Sequence, residues 1–203
     1  MNTDYITSIG DIAQLPKLFH KQMFSGYAQE RVIFAGRSNV GKSSLLNALT
    51  RNSAAHVSKQ AGKTRKVNFF LSQYLNKVIV DLPGYGFAKR SAAERKLWAE
   101  LIQTYVQTDE YIKLALLLSD SRHGPTEADI EAIQFFNDLE IPVVLAMTKT
   151  DQLKNQKTRS QRTKVVKGIL ADNPQLVLKD VFWTSVRDPK SIGGLVNFIK
   201  TME

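Results

Sequence analysis

The octapeptide GRSNVGKS, from Gly36 to Ser43, constrains the fold of this chain more than any other feature. It has the spacing G-x-x-x-x-G-K-[ST] and lies between the apolar run RVIFAG and a stretch with helical periodicity that begins at Lys42. Two glycines let a backbone curl until several N–H groups face one centre, and a helix that starts there adds the positive end of its dipole. Strand, glycine-rich loop and helix in this order predict an anion-binding loop in an α/β sheet.

Short apolar runs alternate with longer amphipathic stretches along the rest of the chain. The runs favour buried strands because they are rich in β-branched residues or leucine and mostly lack polar alternation. Their order predicts an α/β fold, with a mostly parallel, doubly wound sheet, one antiparallel strand and helices on both faces. Thr126 and Ser191 are expected to cap two of the helices. Strands are expected at residues 31–36, 67–75, 77–84, 112–120, 142–149 and 180–185, and helices at 42–50, 92–106, 127–139, 157–170 and 192–202.

The chain is expected to form one domain, at residues 31–203, preceded by an N-terminal extension of residues 1–30 that packs on it. No internal repeat or low-complexity segment divides it. Apolar residues in the extension are spaced to lay one stripe on the domain, namely Ile9, Ile12, Leu15 and Leu18.

Composition excludes several classes of protein. The chain has no cysteine, which excludes disulfides and thiolate metal sites, and its 3 histidines lack metal-ligand spacing. No run of about 18 apolar residues occurs and no signal-peptide pattern opens the chain, so we expect a soluble, cytoplasmic protein. The net charge of +9 favours a polyanionic partner such as nucleic acid, although a merely solvated basic surface is the alternative.

Two motifs point to a nucleoside triphosphate with Mg²⁺. Lys42 would reach the β- and γ-phosphate oxygens as a point charge, and the Ser43 hydroxyl would ligate Mg²⁺. A glycine turn with a chance lysine is the alternative, which the full match between strand and helix disfavours. Further on, the motif DLPG matches D-x-x-G at the end of another strand. Asp81 would hold Mg²⁺ through a water, and the Gly84 amide would sense the γ-phosphate.

The tetrapeptide TKTD, from Thr148 to Asp151, indicates which base is bound. It resembles the guanine-recognition motif [NT]-K-x-D. Guanine offers N1–H and an amine to one carboxylate, whereas adenine would set a lone pair against Asp151, a mismatch on the order of a few kcal/mol. The Lys149 stem would lie over the base as an apolar lid. The backbone of residues 184–186 would complete the pocket.

Three further residues bear on turnover and switching. Thr64 lies between the first helix and the hairpin strand, where a threonine can complete the Mg²⁺ shell only when a γ-phosphate is present; an ordinary loop threonine is the alternative. Tyr85 stands where many GTPases carry the glutamine that orients the attacking water, so unassisted hydrolysis should be slow. Asn39 matches the asparagine that binds K⁺ in several bacterial GTPases, where the cation replaces an arginine finger.

These motifs, together with NFF, DLPGYGFA and DSRHGPTEAD in this order, resemble the EngB family of bacterial ribosome-assembly GTPases in the Era-like group. The likeness covers nearly the whole chain, and DLPGYGFA and SRHG are its narrower marks. Thr148 and Gly124 depart from the usual pattern, since asparagine and proline are expected there. The resemblance implies a monomeric Ras-like P-loop GTPase domain, Mg²⁺ dependence, association with the large ribosomal subunit (rRNA and ribosomal proteins) during assembly, and a role in cell division and septation.

The resemblance also assigns site residues. Catalysis is expected of Lys42, Thr64, Gly84 and Asn39, and Mg²⁺ binding of Ser43, Thr64 and Asp81. Contacts to GTP or GDP are expected from Gly36, Arg37, Ser38, Asn39, Val40, Gly41, Lys42, Ser43, Gly62, Lys63, Thr64, Arg65, Lys66, Asp81, Leu82, Pro83, Gly84, Thr148, Lys149, Thr150, Asp151, Trp183, Thr184 and Ser185.

Basic residues form clusters that could contact rRNA phosphates. Two clusters adjoin the expected switches, at residues 59–66 and 89–96, and a third spans residues 154–167 with no acid between Asp151 and Asp172. Solvated helix faces are the alternative. Arg122 and His123 are expected to hydrogen-bond a loop rather than to act in catalysis. An RNA-binding module that uses GTP as a structural ligand is the main alternative function, whereas a metabolic P-loop kinase would leave Asp151 unexplained.

Overall fold

The computed structural model describes residues 3–16, 30–51, 66–85 and 92–202, with the backbone alone at residues 92, 94, 95 and 98. The described strands are β1 (Thr3–Ile9), β2 (Arg31–Gly36), β3 (Val67–Ser72), β4 (Lys77–Asp81), β5 (Ile112–Asp120), β6 (Val143–Thr148) and β7 (Asp180–Trp183). The described helices are α1 (Lys42–Thr50), α2 (Ala92–Thr108), α3 (Glu127–Asp138), α4 (Gln156–Asp172) and α5 (Pro189–Thr201), with short 3-10 helices at Ile12–Gln14 and Thr150–Gln152.

The strands form one 7-stranded sheet in the order β1-β3-β4-β2-β5-β6-β7. β3 is antiparallel to both of its neighbours, and every other adjacent pair is parallel. The prediction of a mostly parallel α/β sheet with one antiparallel strand is therefore confirmed.

The sheet is covered by helices on both faces, which the alternation of side chains along β2 makes clear. Ile33 and Ala35 belong to a core cluster that includes residues of α2, α3 and α4. Val32 and Phe34 belong to a second cluster that includes residues of α1 and α5. Successive side chains of a strand point to opposite faces, so a central strand with helices above and below must be apolar throughout. None of the described helices is long and apolar enough to cross a bilayer.

The edge strand β1 is the element that the sequence did not predict. It pairs with β3 from Thr3↔Ser72 to Ile9↔Val67. Only the two end residues of β1 are buried, so its sequence carries neither the continuous apolar run nor the clean alternation that marks a strand. Of the predicted apolar stripe, Ile9 and Leu15 are buried in the core and Ile12 packs against it, while Leu18 lies outside the described residues. The boundary at residue 30 stays a prediction.

The predicted cap at Ser191 is wrong, whereas the one at Thr126 is confirmed by a capping box with Asp129. α5 begins at Pro189, and the Asp188 side chain accepts a hydrogen bond from the Lys190 N–H as its N-cap. Proline in the first turn needs no hydrogen-bonded N–H, so the helix starts before the apolar pattern does.

The carboxyl ends of the parallel strands meet along one edge of the sheet. β2 lies between β4 and β5, and the chain winds away from it in both directions. Such a topological switch point opens a crevice at the carboxyl ends of the strands, which is where ligands bind in open α/β sheets. The predicted motifs GRSNVGKS, DLPG and TKTD come at or after the ends of β2, β4 and β6, and all three strands end at this edge.

Candidate nucleotide-binding site

The loop after β2 has the curled backbone that the glycine-rich motif predicts. Asn39 and Gly41 both adopt positive φ angles, 64° and 102°. Gly41 is the N-cap of α1, which begins at Lys42. Side chains other than asparagine, aspartate and glycine rarely tolerate this left-handed region. The curl sets the loop against the positive end of the α1 dipole, an arrangement that suits a phosphate group.

Lys42 and Asp81 bring the loop and the end of β4 together. The Lys42 ammonium contacts the Asp81 carboxylate, and the two side chains are 11% and 8% exposed. Asn68 of β3 donates a hydrogen bond to the other Asp81 oxygen at 3.4 Å. A lysine ammonium is a compact point charge on a flexible stem, so Lys42 can exchange this carboxylate for a nearby phosphate oxygen.

The D-x-x-G segment lies directly on the phosphate loop. Tyr85 forms a parallel bridge with Arg37, in which the Tyr85 N–H donates to the Gly36 carbonyl and the Ser38 N–H donates to the Tyr85 carbonyl, both at 3.3 Å. Gly84 comes so close that an added Cβ would lie 2.9 Å from the Ser38 hydroxyl oxygen. That hydroxyl is buried and has no hydrogen-bond partner among the described residues. A buried polar atom without a partner is uncommon, so this hydroxyl marks a point where a polar ligand could form a hydrogen bond.

The Tyr85 side chain turns away from the phosphate loop toward α3. Its hydroxyl donates a 2.7 Å hydrogen bond to Asp129, a buried residue that also accepts from Ser119 and Thr126. Burial, with the Asp129 charge in second place, raises the pKa of the Tyr85 phenol well above its ordinary value. The phenol therefore stays protonated and engaged at neutral pH, so it does not serve as a base for water.

The base pocket is joined to the phosphate loop by Thr148 and Lys149. The Thr148 hydroxyl donates to the Val40 carbonyl at 2.7 Å and to the Ser119 carbonyl at 3.2 Å. Threonine can thus stand in for the usual asparagine, because a hydroxyl is enough to tie the end of β6 to the loop. The Lys149 ammonium donates to the Asn39 carbonyl at 2.6 Å, and its stem passes Gly41.

Asp151 lies in the short 3-10 helix after β6 and is held from the loop that follows β7. The Ser185 hydroxyl donates to one Asp151 oxygen at 2.7 Å, and Arg187 lies 3.4 Å from the other. The Ser191 hydroxyl in turn accepts from the Ser185 N–H at 2.9 Å. Beside these groups lies a cavity of about 190 Å³. Its walls come from the phosphate-loop helix and both base loops, and include Gly41, Leu45, Thr148, Lys149, Asp151, Thr184 and Val186.

Asp120, at the end of β5, is a site residue that the sequence analysis missed. It accepts hydrogen bonds from the Arg122 guanidinium at 2.9 and 2.6 Å and from Lys149 at 2.9 Å. Burial opposes ionisation of Asp120, but the hydrogen bonds from Arg122 and Lys149 outweigh it and hold the pKa of this carboxyl well below its ordinary value. Arg122 therefore hydrogen-bonds the last residue of β5 rather than a loop, and Asp120 positions Lys149.

Replacing Asp120 by asparagine is expected to change how stability depends on pH. A carboxyl whose pKa is depressed by folding stabilises the folded state above its unfolded pKa, about 4, and this contribution is lost as the pH falls toward the folded pKa. The free energy of unfolding of the wild type should therefore exceed that of D120N by about 1 kcal/mol at pH 7, a value reduced by solvent screening, and this difference should begin to shrink only below about pH 4. Urea unfolding at pH 7, 4 and 2.5 measures this. D138N, which alters an exposed carboxylate on α3, serves as the control, and a gap between wild type and D120N that is constant with pH would contradict the assignment.

Comparison with known proteins agrees with this geometry. Residues 31–149 match the family described as 50S ribosome-binding GTPase. The chain is 44% identical over 170 residues to the "Probable GTP-binding protein EngB" of Pelotomaculum thermopropionicum, and the match covers 83% of this chain and 80% of that protein. The chain belongs to the EngB family. The relative from Natranaerobius thermophilus is 46% identical over 144 residues, or 70% of this chain and 73% of that protein.

Solved structures place the EngB-family chain among P-loop GTPases. A crystal structure of a probable GTP-binding protein EngB superposes with a TM-score of 0.64 at 26% identity, covering 84% of this chain and 98% of that one. Era in complex with MgGDPNP and nucleotides 1506–1542 of 16S ribosomal RNA gives a TM-score of 0.66 at 22% identity over 86% of this chain and 57% of that one, which shows the shared fold. The predicted family and fold are both confirmed, and the chain is a GTP-binding protein of a ribosome-binding GTPase family.

Not every predicted site residue of this EngB-family chain lies in the described part. Residues 36–43, 81–84 and 148–151, with Thr184 and Ser185, come together along one edge of the sheet. Trp183 instead packs against the core cluster on the face of α2, α3 and α4, and the Lys66 stem lies beside Gly10. Gly62, Lys63, Thr64 and Arg65 lie outside the described residues, so their roles stay predictions.

The candidate site contains oxygen donors of the kind that bind Mg²⁺. Ser43 lies in the first turn of α1 and Asp81 at the end of β4, joined through Lys42. Hydroxyl and carboxylate oxygens are hard ligands of the kind that Mg²⁺ takes, and this ion commonly uses one or two protein groups together with phosphate oxygens and water. No cluster of acidic or histidine side chains large enough to hold a metal by itself occurs in the described ranges.

Proposed function

We propose that this protein hydrolyses GTP to GDP and phosphate and acts as a nucleotide-dependent switch in assembly of the large ribosomal subunit. One observation carries the proposal. Three groups lie at the same edge of the sheet, on both sides of the glycine-rich loop: the Lys42 ammonium, the Gly84 backbone and the Asp151 carboxylate. A guanine nucleotide with its base at Asp151 and its phosphates on the loop would touch all three.

The residues divide the work of hydrolysis between binding and charge stabilisation. The loop N–H groups and Lys42 would hold the phosphates and oppose the charge that develops as water attacks in line with the leaving oxygen. Ser43, Asp81 and the predicted Thr64 would hold Mg²⁺, which when bound neutralises charge on the phosphate oxygens. Gly84 and Thr64 would report whether a γ-phosphate is present, because both contacts depend on it.

A monovalent cation is the proposed electrostatic substitute for an arginine finger. Asn39 is exposed at the tip of the phosphate loop, and its side chain can help to bind K⁺ beside the phosphates. We predict that K⁺ raises turnover over Na⁺ by about tenfold, equivalent to about 1.4 kcal/mol of barrier. Phosphate release at matched ionic strength in KCl and NaCl measures this, with N39A as the variant that should lose the difference. Equal rates in the two salts would remove the K⁺ site.

The cellular role follows from the family description and from charge. A ribosome-binding GTPase with a net charge of +9 suits a partner rich in rRNA phosphates. We place the protein in the cytoplasm as a monomer that associates with the large subunit or its precursor. A requirement for normal cell division and septation would follow from the supply of ribosomes or from a direct role.

One specific observation favours a second function, a ribosome-binding module that uses GTP only as a structural ligand. Tyr85 stands in the position of the water-orienting residue, and its hydroxyl is committed to Asp129 rather than to the phosphate loop. A site of this kind can bind GTP without turning it over at a useful rate.

Turnover of GTP with and without purified large ribosomal subunits separates the two functions. A switch should be stimulated by orders of magnitude, because the subunit would supply the missing water positioning. Binding to the subunit that depends on GTP but leaves the rate unchanged would favour the module. The small subunit at equal concentration is the control for general polyanion effects.

A further inference from the structure

Helix α4 is unusually exposed for a helix of its length. Only Val166 is buried among its residues, and the Asn155 side chain caps its start. It carries a run of lysines and arginines with no acid before Asp172. None of these cations forms an ion pair with another described residue. Packing therefore does not account for the basic side chains of this helix.

The outward side of α4 combines lysines with small or uncharged residues. At about 100° per residue, Lys157, Lys164 and Lys167 fall within about 80° of one another, and Lys157 and Lys164 lie opposite Val166. Gly168 lies on the same side, and an added Cβ would meet nothing within 4 Å. Glycine is less favourable than alanine in a helix interior, and nothing packed in the fold requires it here. Gly168 comes one turn after Lys164, so the absence of a side chain there lowers the surface at the end of the row of lysines. We call this side the lysine face, made of Lys157, Lys164, Lys167 and Gly168.

We propose that the lysine face binds the phosphate backbone of RNA, with one lysine ammonium to each of several successive phosphates. The partner rests on the proposed function, since the RNA would be that of the large ribosomal subunit. Lysine is a point charge that suits phosphate oxygens without reading bases, so the contact would position the protein rather than specify a sequence.

RNA fits the lysine face better than a membrane surface does. An interfacial helix needs a large apolar side to enter the lipid, and the exposed apolar residue of α4 is Val165, which is 40% exposed and faces Gly124. The face is instead basic and free of acids, which matches the charge of a nucleic acid backbone.

The lysine face is also coupled to the nucleotide site by a short piece of chain. The 3-10 helix Thr150–Gln152 holds Asp151, and α4 begins at Gln156. RNA bound on α4 would therefore lie beside the loop that holds the base.

The test compares a charge-reversed lysine face with a matched control on the full chain. K164E/K167E changes two lysines of the face. K113E/K179E changes two exposed lysines at the start of β5 and just before β7, where the strands begin, and alters the net charge equally. Affinity for a protein-free transcript of large-subunit rRNA is measured between 50 and 300 mM KCl with GDP and Mg²⁺ present. GDP affinity reports whether each variant is folded, and K164Q/K167Q replaces the reversal if it is not.

We expect K164E/K167E to lose at least tenfold in RNA affinity, with the slope of log K against log salt reduced by about 2, because each lysine neutralises about one phosphate. The control should stay within about twofold of the wild type. An equal loss in both variants would overturn the proposal, since net charge alone would then explain binding. Normal RNA binding with lost subunit binding would also overturn it, in favour of a protein contact. GTP hydrolysis that the large subunit fails to stimulate, with RNA binding intact, would count against the proposed GTPase function and leave the lysine face standing.

Discussion

Replacing Lys42 by methionine is expected to slow GTP hydrolysis by about 10³-fold, the upper end of what one removed donor costs at a site of developing charge. The Lys42 ammonium lies on Asp81, where the phosphate loop meets the end of β4, and methionine keeps the length of the stem but not the charge. Phosphate release under single-turnover conditions measures the chemical step. Calorimetry measures GTP affinity and so shows whether the variant also loses GTP binding.

K77M is the matched control for K42M. Lys77 begins β4, the strand that ends at Asp81, and its ammonium also contacts a carboxylate, that of Glu30, at the opposite end of the strand. Both variants therefore leave a carboxylate without its lysine. A comparable loss of hydrolysis in K77M, or a K42M protein that hydrolyses GTP at the wild-type rate, would contradict the role of Lys42.

Replacing Gly84 by alanine is expected to reduce turnover by about 10²-fold, since misplacing a group by about 1 Å can cost that much. The added Cβ would lie 2.9 Å from the Ser38 hydroxyl oxygen, 3.1 Å from the Ser38 nitrogen and 3.2 Å from the Gly36 carbonyl oxygen. Backbone atoms cannot yield easily, so the D-x-x-G segment would have to leave the phosphate loop. GDP binding should change little, because the proposed contact of Gly84 is to the γ-phosphate, which GDP lacks.

Two variants sharpen the Gly84 experiment. G193A adds a methyl group to α5 where nothing lies within 4 Å, so GTP turnover should stay at the wild-type rate. In G84A/S38G the clash with the hydroxyl is gone but the backbone clashes remain, so partial recovery is expected. An unchanged rate in G84A would mean that close packing against the loop has no part in turnover.

Local motifs explain why much of the site could be predicted from the sequence. Each of these motifs needs only neighbouring residues and a preceding strand, so its spacing can be recognised directly in the sequence. The motifs are GRSNVGKS, DLPG and TKTD. Their meeting at one edge follows from parallel strands, whose carboxyl ends are all on the same side. The central strands were equally clear because burial on both faces makes them continuously apolar.

The features that could not be predicted depend on contacts between distant residues. Asp120 acts through Lys149, and Tyr85 through Asp129, and neither pair leaves a mark in local periodicity. β1 is an edge strand with a mostly exposed middle, so its polar residues resemble those of a loop. A signal existed for Asp120, since it ends a buried strand at the carboxyl edge as Asp81 does.

Asp151 is proposed to select guanine, and calorimetric titration tests this central assignment most directly. GDP and ADP would be titrated with Mg²⁺ into the wild type and into D151N, with D138N as a control. We predict that the wild type binds GDP and gives no heat with ADP. In D151N an amide replaces the carboxylate that accepts two hydrogen bonds, so GDP affinity should fall by about 10² or more and xanthosine diphosphate should bind better than GDP. Equal binding of GDP and ADP by the wild type, or unchanged GDP binding by D151N, would contradict the assignment of the base pocket.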